Sequence, residues 1–339
     1  MDIGVCGFGY SGSGAVIDLL KEYDELDVAS EDEFLITYFP DGLFDLIAHI
    51  SGEQARFYEA DIAIKRFKIL CKKYGKCFGW KKEKVRAFQK ISEAFISRII
   101  SNEWNGIWTY DYLCFSWIEK KYYFTVGRRV NRAFKKNIIY PQKKMYISEY
   151  KREYVDECRK YIKRIKIFLG YDNLRKCVIN QPFPANCPQR YFDFFDNPKA
   201  ILVTRDPRDI YIMAKKFIKE DASWIPTKSV GDYINFYRMQ YKGIESIKNS
   251  KDVLIVRFED LIYCYDDTRK EIEKYLDIHS EGKKFKFFDP RHSVVNTRLF
   301  EKYVEFQEEI NDIARELGKY LYPFDEVEKI SNEGTCFWD

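Results

Sequence analysis

The chain has no Cys-x-x-Cys pair, and its three histidines stand at none of the spacings that bind zinc. Its nine cysteines are an odd number, so we expect ordinary reduced thiols and no disulfide framework. No apolar run approaches the 18 residues of a membrane-spanning helix. A strand-like segment follows Met1 directly, where a signal sequence would place a basic and then an apolar region. These absences predict a soluble, cytoplasmic protein.

The chain also lacks a large excess of either charge. Its 57 basic and 53 acidic residues give a formal charge of +4, which is too small an average to indicate a nucleic-acid partner. Its positive charge is concentrated in two segments. Residues 63–90 carry eleven basic residues and one acidic residue, and residues 120–166 carry sixteen and four. This pattern predicts an anionic ligand or acceptor, or peripheral contact with an acidic membrane surface, and the alternative is a solvated helical surface.

The order of apolar segments predicts an α/β fold with a mainly parallel sheet flanked by helices. Residues 2–6 form a strand pattern, a glycine-rich turn follows, and residues 15–20 continue as a helix. Further strand patterns lie at residues 26–29, 176–180, 200–204 and 252–256. The segment from about 41 to 170 is helical and basic with few strand signals, so we expect an insertion or cap. A helical spacing also covers residues 297–319.

The glycine-rich turn, Gly7-Phe-Gly-Tyr-Ser-Gly-Ser-Gly14, has the composition of a phosphate-binding loop. Glycines let backbone amides approach phosphate oxygens, and the dipole of the following helix favours an anion. The turn fits the dinucleotide pattern G-x-G-x-x-G, with acidic residues 31–33 about 20 positions later. Aligned as a Walker A motif, it has Ser13 in place of Lys and Gly14 in place of the magnesium-binding Ser or Thr, which disfavours an ordinary NTPase. A structural tight turn is the alternative.

Two later strands each end in an arginine. Ile201-Leu-Val-Thr-Arg-Asp-Pro-Arg-Asp209 places Arg205 at the end of an apolar strand, where its guanidinium could hold two oxygens of a phosphate. Val253-Leu-Ile-Val-Arg-Phe-Glu-Asp-Leu261 repeats the arrangement with Arg257. For Arg257 we favour a structural pairing with a carboxylate over ligand binding.

Together these elements resemble the sulfotransferases. They are the glycine loop, Arg205-Asp-Pro-Arg-Asp209, Arg257-Phe-Glu-Asp-Leu261, and His292-Ser-Val-Val-Asn-Thr-Arg298 followed by Lys302. The resemblance covers residues 1–40 and 175–310. It implies a P-loop-like fold over residues 1–339, with 41–170 as a helical, basic insertion. It also implies a metal-free reaction in which 3′-phosphoadenosine 5′-phosphosulfate sulfates a hydroxyl or amine.

The resemblance implies roles for particular residues in binding this donor. Arg205 would hold the 3′-phosphate, and the late segment 293–302 would close over it, with Arg298 as the best candidate and Lys302 as a weaker one. The 5′-phosphosulfate would be held by the amides and hydroxyls of the loop residues Ser11, Gly12, Ser13 and Gly14.

The chain departs from the family pattern at two positions. Tyr10 stands where a Lys or Arg usually neutralises charge on the bridging oxygen; a tyrosine there can donate a hydrogen bond but brings no positive charge. Met213 stands where a serine usually shares the 3′-phosphate. Arg128 or Arg129 from the basic middle segment are candidates to supply the missing cation.

Sulfuryl transfer also needs a base, because the acceptor hydroxyl loses its proton as it attacks sulfur. Glu33 is the leading candidate, since several glycan sulfotransferases are similar in having a glutamate before an aromatic segment at this point. Asp32 and Glu31 compete with it, and repulsion among the three would raise the pKa of one. A solvated turn is the alternative for all three. His49 and His292 are further possible bases, although a packing role is favoured for His49.

The expected acceptor is a carbohydrate or glycolipid, either neutral or anionic. This expectation rests on the glycan-type resemblance and on the aromatic residues of the middle segment, which could stack on sugar rings or could form the core of the cap. These residues are Trp104, Trp108, Tyr110, Tyr112, Trp117, Tyr122 and Tyr123.

Two other functions compete with the sulfotransferase. An NAD(P)-binding oxidoreductase explains the glycine loop, but predicts that strands and helices keep alternating where about 130 helical, basic residues follow. A catalytically degenerate relative that binds a nucleotide or glycan without turnover is favoured by Tyr10 and Met213.

Overall fold

The computed structural model describes residues 1–30, 32–51, 57–149, 153–172, 174–218, 223–247, 250–279 and 285–327, except for the side chain of Phe57. The chain divides into two compact units. One comprises Met1–Thr37 with Ile162–Asp339, and the other comprises Tyr38–Tyr161. We call them the sheet unit and the inserted unit.

In the described residues, the sheet unit contains a five-stranded sheet whose neighbours all pair in parallel, in the order β2-β5-β1-β6-β7. Val5 in the central strand lies between Asn180 and Ile201. The strands of the chain are β1 Asp2–Gly7, β2 Leu26–Asp27, β3 Asn102–Gly106, β4 Lys143–Ile147, β5 Lys176–Asn180, β6 Lys199–Thr204 and β7 Val253–Arg257. The parallel α/β architecture predicted from the sequence is confirmed.

Helices connect these strands. The α-helices are α1 Ser13–Leu20, α2 Leu43–Ser51, α3 Phe57–Cys77, α4 Lys82–Ile99, α5 Thr109–Leu113, α6 Trp117–Lys121, α7 Arg128–Phe134, α8 Tyr154–Leu169, α9 Pro207–Ile212, α10 Val230–Tyr241, α11 Ile244–Ile247, α12 Asp260–Tyr263, α13 Tyr265–Leu276, α14 Pro290–Ser293, α15 Leu299–Lys302 and α16 Gln307–Glu316. Two π-helical stretches, Tyr122–Gly127 and Met213–Phe217, follow α6 and α9. In the described part of the chain, no helix is both long and apolar enough to cross a membrane.

The core of the sheet unit forms where α1 packs on the sheet. Val16 and Leu20 lie four residues apart on α1 and are fully buried in one cluster with Ile3 and Val5 of β1. Burying each such side chain contributes about 1.5–3 kcal/mol. This packing fixes the start of α1 at the carboxyl end of β1.

A buried ion pair fixes the other end of β1. Nζ of Lys166 on α8 lies 2.5 Å from Oδ1 of Asp2, and both side chains are almost fully buried. The amide of Asp196 donates to Oδ2 of Asp2 at 3.0 Å. Both carboxylate oxygens therefore have partners, as a buried charge requires.

The inserted unit has an aromatic core around α3 and α4. Tyr161 stacks on Phe95 with ring centroids 4.5 Å apart, and Phe67 meets both rings edge-on. Buried Asp61 on α3 accepts hydrogen bonds from the Tyr146 amide and from Trp108 Nε1, each at 2.9 Å. These bonds hold β4 and the segment before α5 against α3.

Two details differ from the sequence predictions. The inserted unit contains an antiparallel pair, with Asn102 opposite Ile147 and Gly106 opposite Lys143. The strand Asn102–Gly106 is mostly exposed and mostly polar, so it lacks the apolar alternation by which strands are recognised. The expected helix over 297–319 is broken into α15, α16 and short 3₁₀ turns, starting from Arg298 at a φ of 54°.

Candidate functional site

The glycine loop joins the carboxyl end of β1 to the start of α1. Gly12, directly before the helix, has a φ of 85°, and a Cβ there would lie 2.4 Å from the Phe258 ring. Tyr10 also adopts the left-handed conformation, with a φ of 62°. Ser11 is buried, and among the described residues its hydroxyl has no hydrogen-bond partner. The first amides of a helix have no acceptor within it, so this end of α1 can receive an anion.

Gln181, directly after β5, supports this loop. Its Oε1 accepts a hydrogen bond from the Gly7 amide at 3.2 Å, and its Nε2 donates to Ser13 Oγ at 3.2 Å. The backbone amide of Gln181 donates to the Val5 carbonyl at 2.9 Å. Sequence reasoning missed Gln181, because only the parallel pairing of β5 with β1 brings it to the loop.

Trp224 lies over another part of the loop. A Cβ on Gly9 would come within 2.3 Å of its indole ring, yet the side chain is 59% exposed. Its outer part therefore offers an aromatic surface to solvent beside the loop. Nothing in the local sequence signals this position.

Arg205 connects the loop to the late segment. Its Nη1 donates to the Tyr10 carbonyl at 2.9 Å, and its Nη2 donates to the Asn296 carbonyl. The guanidinium lies 4.9 Å from the centre of the Phe258 ring. The side chain is buried, and its Nε has no partner among the described residues. The glycine loop, Arg205 and the segment around Asn296 are thus brought together.

Three buried carboxyl groups surround Arg205. Asp206 binds Arg208, while Glu259 accepts from the Asp206 amide at 2.8 Å. Asp209 accepts from the Leu299 amide at 2.8 Å. Burial raises the pKa of Asp209 to about 7 and that of Glu259 to about 8; the charge of Asp206 also raises both, and Arg205 opposes the shift. Asp209 and Glu259 are therefore partly neutral at physiological pH.

A cavity of about 150 Å³ opens beside this cluster. Its wall includes Arg205, Glu259, Tyr237 and Arg257. Arg257 donates to the Leu321 carbonyl at 3.2 Å, so its observed partner is a backbone oxygen and not the carboxylate expected from the sequence. The carboxylates nearby are instead engaged by backbone amides and by Arg208.

Arg298 and Lys302 both lie in the late segment and both have protein partners. Nη1 of Arg298 donates to Glu301 at 2.7 Å, and its Nη2 donates to the Phe324 carbonyl. Nζ of Lys302 donates to the Val295 carbonyl at 2.7 Å. The Nε of Arg298 is buried and has no hydrogen-bond partner among the described residues, so the guanidinium keeps one donor that these contacts do not use.

Met213 begins the π-helical stretch after α9 and is buried. Its thioether is a weak acceptor and cannot donate a hydrogen bond to a phosphate. The position that usually carries the family's serine is therefore an apolar part of the core.

Glu33 is held close to the carboxyl edge of the sheet. The amide of the next residue, Phe34, donates to the Asn180 carbonyl at 2.7 Å, and Asn180 directly precedes Gln181. The Glu33 side chain is exposed as a whole, but burial around its carboxyl group raises its pKa above the ordinary value. Asp32 is half-buried, and Glu31 lies outside the described residues.

The remaining predicted residues belong to other elements of the chain. Arg128 and Arg129 begin α7 in the inserted unit, and both are exposed. His49 is also exposed and lines a separate cavity of about 250 Å³ in that unit, so the expected packing role is wrong. His292 is exposed on α14.

Strand order separates the candidate folds. In the common dinucleotide-binding order, 3-2-1-4-5-6, the first and second strands are neighbours. Here β1 lies between β5 and β6, and β2 pairs with β5. This order disfavours the NAD(P)-binding alternative, although the loop fits its sequence pattern. Among the described residues, no group of three or more His, Cys, Asp or Glu side chains could hold a metal ion.

Comparisons with known proteins give likenesses of structure and none of sequence. No protein-family model matches the chain, and no curated protein matches it. Among solved structures, the sulfotransferase domain from the curacin biosynthetic pathway is similar over 94% of this chain and 98% of that one, with 13% sequence identity and a TM-score of 0.43. At that identity and TM-score the likeness carries no argument about function, which we therefore base on the residues of this chain.

Proposed function

We propose that the protein is a sulfotransferase that uses 3′-phosphoadenosine 5′-phosphosulfate. The observation that carries the proposal is the position of Arg205, whose guanidinium donates both to the glycine loop at Tyr10 and to the late segment at Asn296. The sequence resemblance assigns the two phosphate-bearing ends of the donor to those same elements. A cation between them is suited to a ligand with two anionic ends.

The residues at the loop fit such a donor. The Phe258 ring fills the space beside Gly12 and holds the loop in its left-handed turn, and the unpartnered Ser11 hydroxyl could bind a phosphate oxygen. Trp224 offers an aromatic surface on which a purine could stack. The partly neutral acids around Arg205 limit repulsion of a nearby phosphate.

The proposed reaction is an in-line displacement at sulfur. The bound donor supplies the sulfuryl group: the acceptor hydroxyl oxygen forms a new bond to sulfur while the bond to the bridging oxygen breaks. Glu33 takes the acceptor proton, and the burial that raises the pKa of its carboxyl group makes the carboxylate a stronger base. Tyr10 donates a hydrogen bond towards the bridging oxygen. We propose a carbohydrate or glycolipid hydroxyl as the acceptor, in line with the exposed aromatic residues Trp104 and Tyr110.

A second candidate is donor binding without turnover. Tyr10 supplies no cation at the bridging oxygen, and buried Met213 supplies no hydroxyl for the 3′-phosphate. Such a protein would bind the nucleotide product and transfer nothing. Transfer assays therefore have to accompany the binding measurement.

The binding test is calorimetric titration with 3′-phosphoadenosine 5′-phosphate, with NAD and ATP as comparison ligands at the same salt concentration. We expect the wild type to bind this nucleotide in the micromolar range and Arg205→Ala to abolish the binding. Arg238→Ala is the control, because Arg238 is an exposed arginine paired with Glu316, and this variant should bind as the wild type does. Ser11→Ala removes a hydroxyl without breaking any hydrogen bond seen in the described residues, so a weaker affinity in this variant reports a ligand contact. Binding of NAD alone would refute the proposal.

The transfer test compares two neighbouring carboxylates. Glu33→Gln should abolish sulfuryl transfer to a carbohydrate acceptor and retain binding of the nucleotide product, whereas Asp32→Asn should keep transfer. An active Glu33→Gln enzyme would remove Glu33 as the base. Tight nucleotide binding by the wild type without transfer to any acceptor would favour the binding protein.

A further inference from the structure

The inserted unit carries a helical segment whose exposed face has no partner in the described residues. It comprises α6, the π-helical stretch Tyr122–Gly127 and α7, and we call it the 117–134 helix. Ser116 and Glu119 form a capping box at its start, and Lys135, at a φ of 50°, ends it. It lies within the connection between β3 and β4.

One side of this helix is packed. Tyr123 stacks on Phe115, with ring centroids 5.5 Å apart. Asn131 accepts from the amide of Ile139 at 2.9 Å and donates to its carbonyl at 2.7 Å. The helix is therefore held in place by its inner face, and its outer face is not needed for that anchoring.

The outer face is an apolar stripe. Ile118, Tyr122, Val126 and Phe134 are spaced four or eight residues apart and are 70%, 48%, 42% and 66% exposed. In a regular α-helix, side chains four residues apart are offset slightly in angle around the helix axis. The π stretch has more residues per turn, so it offsets the side chains in the opposite direction. The stripe thus stays on one side of the helix. Monomeric soluble proteins rarely expose apolar side chains in such continuity.

The charge of the residues around the apolar stripe indicates which kind of partner binds it. Residues 117–136 contain seven Lys and Arg residues, all exposed, and one acidic residue. That residue, Glu119, accepts hydrogen bonds from the Ser116 amide and hydroxyl. A second copy of this chain would bring two strongly positive surfaces together, which is unfavourable. An anionic surface would be attracted by the same charge.

We propose that the 117–134 helix docks on a membrane surface rich in anionic phospholipids. The apolar stripe would enter the interface between headgroups and acyl chains, and the flanking Lys and Arg side chains would bind headgroup phosphates. Exposed Trp117 and Tyr122 belong to the residue types that favour this interface. The proposal does not depend on the reaction proposed above.

The test is sedimentation of the full chain with two kinds of vesicle, one of phosphatidylcholine alone and one with 30% phosphatidylserine. We expect the protein to sediment with the anionic vesicles only, and less strongly at high salt. Ile118→Asp with Phe134→Asp should reduce binding at least about tenfold, because apolar insertion is lost. Leu174→Asp, at a 93% exposed position of the sheet unit, is the matched control and should bind as the wild type does.

A second pair of variants tests the charge. Each basic residue near an anionic surface contributes about fivefold to binding, so Lys135→Gln with Lys136→Gln should weaken it by roughly 25-fold. Lys270→Gln, at an exposed position on α13, should not. Circular dichroism spectra like that of the wild type, and unchanged binding of 3′-phosphoadenosine 5′-phosphate, would show that these variants are folded. The vesicle result does not depend on whether the protein is a sulfotransferase.

Three results would overturn the proposal. The first is sedimentation no greater with anionic than with neutral vesicles. The second is a wild-type dimer in light scattering that the stripe variant converts to a monomer, which would assign the stripe to an interface between copies. The third is binding to a poly-glutamate peptide without binding to vesicles, which would assign it to an acidic protein.

Discussion

Replacing Gly12 with alanine adds a single heavy atom, the Cβ, at the junction between the glycine loop and α1. The φ of Gly12 is 85°, a conformation that residues with a Cβ adopt at a cost of about 1–2 kcal/mol. The new Cβ would also lie 2.4 Å from a carbon of the Phe258 ring, and overpacking of this kind costs about 1–3 kcal/mol. We therefore expect the variant to lose about 2–5 kcal/mol of stability, a large part of an ordinary protein's total.

Gly14→Ala is the matched control in the same loop. A Cβ at Gly14 meets no atom within 4 Å, and the residue already lies in the first turn of α1. Its replacement should leave stability unchanged or raise it by up to about 1 kcal/mol, because alanine favours a helix over glycine. The two variants make the same chemical change two residues apart, so their difference isolates the geometry.

Denaturant titration measures the free energy of unfolding of both variants. A Phe258→Leu background separates the two costs, since the smaller side chain relieves the contact and leaves only the backbone part of about 1–2 kcal/mol. Because Phe258 also lies beneath Arg205, the affinity for 3′-phosphoadenosine 5′-phosphate should fall in Gly12→Ala too. A Gly12→Ala protein as stable as the wild type would refute the left-handed, tightly packed turn on which the site depends.

Two further predictions follow from buried charges in the sheet unit. Lys166→Met leaves Asp2 buried without its counter-ion and should lower the free energy of unfolding by about 3–5 kcal/mol, measured by denaturant titration. Lys163→Met, on the exposed side of α8, should lower it little, and equal effects of the two variants would contradict the buried pair. The pKa of Glu259 is raised to about 8 and that of Asp209 to about 7, so the folded state holds protons that the unfolded state releases above about pH 4.5. Their contribution to the free energy of unfolding is thus complete below about pH 4.5 and is lost as the pH rises to about 8. Glu259→Gln should make this loss of stability with rising pH smaller. A pH dependence of stability that is the same in the variant and the wild type would contradict the raised pKa.

The sequence by itself determined the parallel strands of the sheet unit and the loop and helix that follow β1. Buried parallel strands are short apolar runs, and a run followed by glycines and a helix specifies a strand, a loop and a helix through local preferences alone. The same local signals located Arg205 at a strand end. They did not show the polar strand Asn102–Gly106, which is stabilised by pairing with β4 and not by its own composition.

Only the tertiary structure decided which of these residues meet. Gln181 reaches the glycine loop because β5 pairs with β1, a contact across 174 residues that no local pattern encodes. The positions of Phe258 and Trp224 against loop glycines, and the partners that occupy Arg298, are likewise set by packing between distant segments. The strand order that disfavours a dinucleotide fold belongs to the same class, because several orders are compatible with one set of strands and only the packing of connecting helices selects among them.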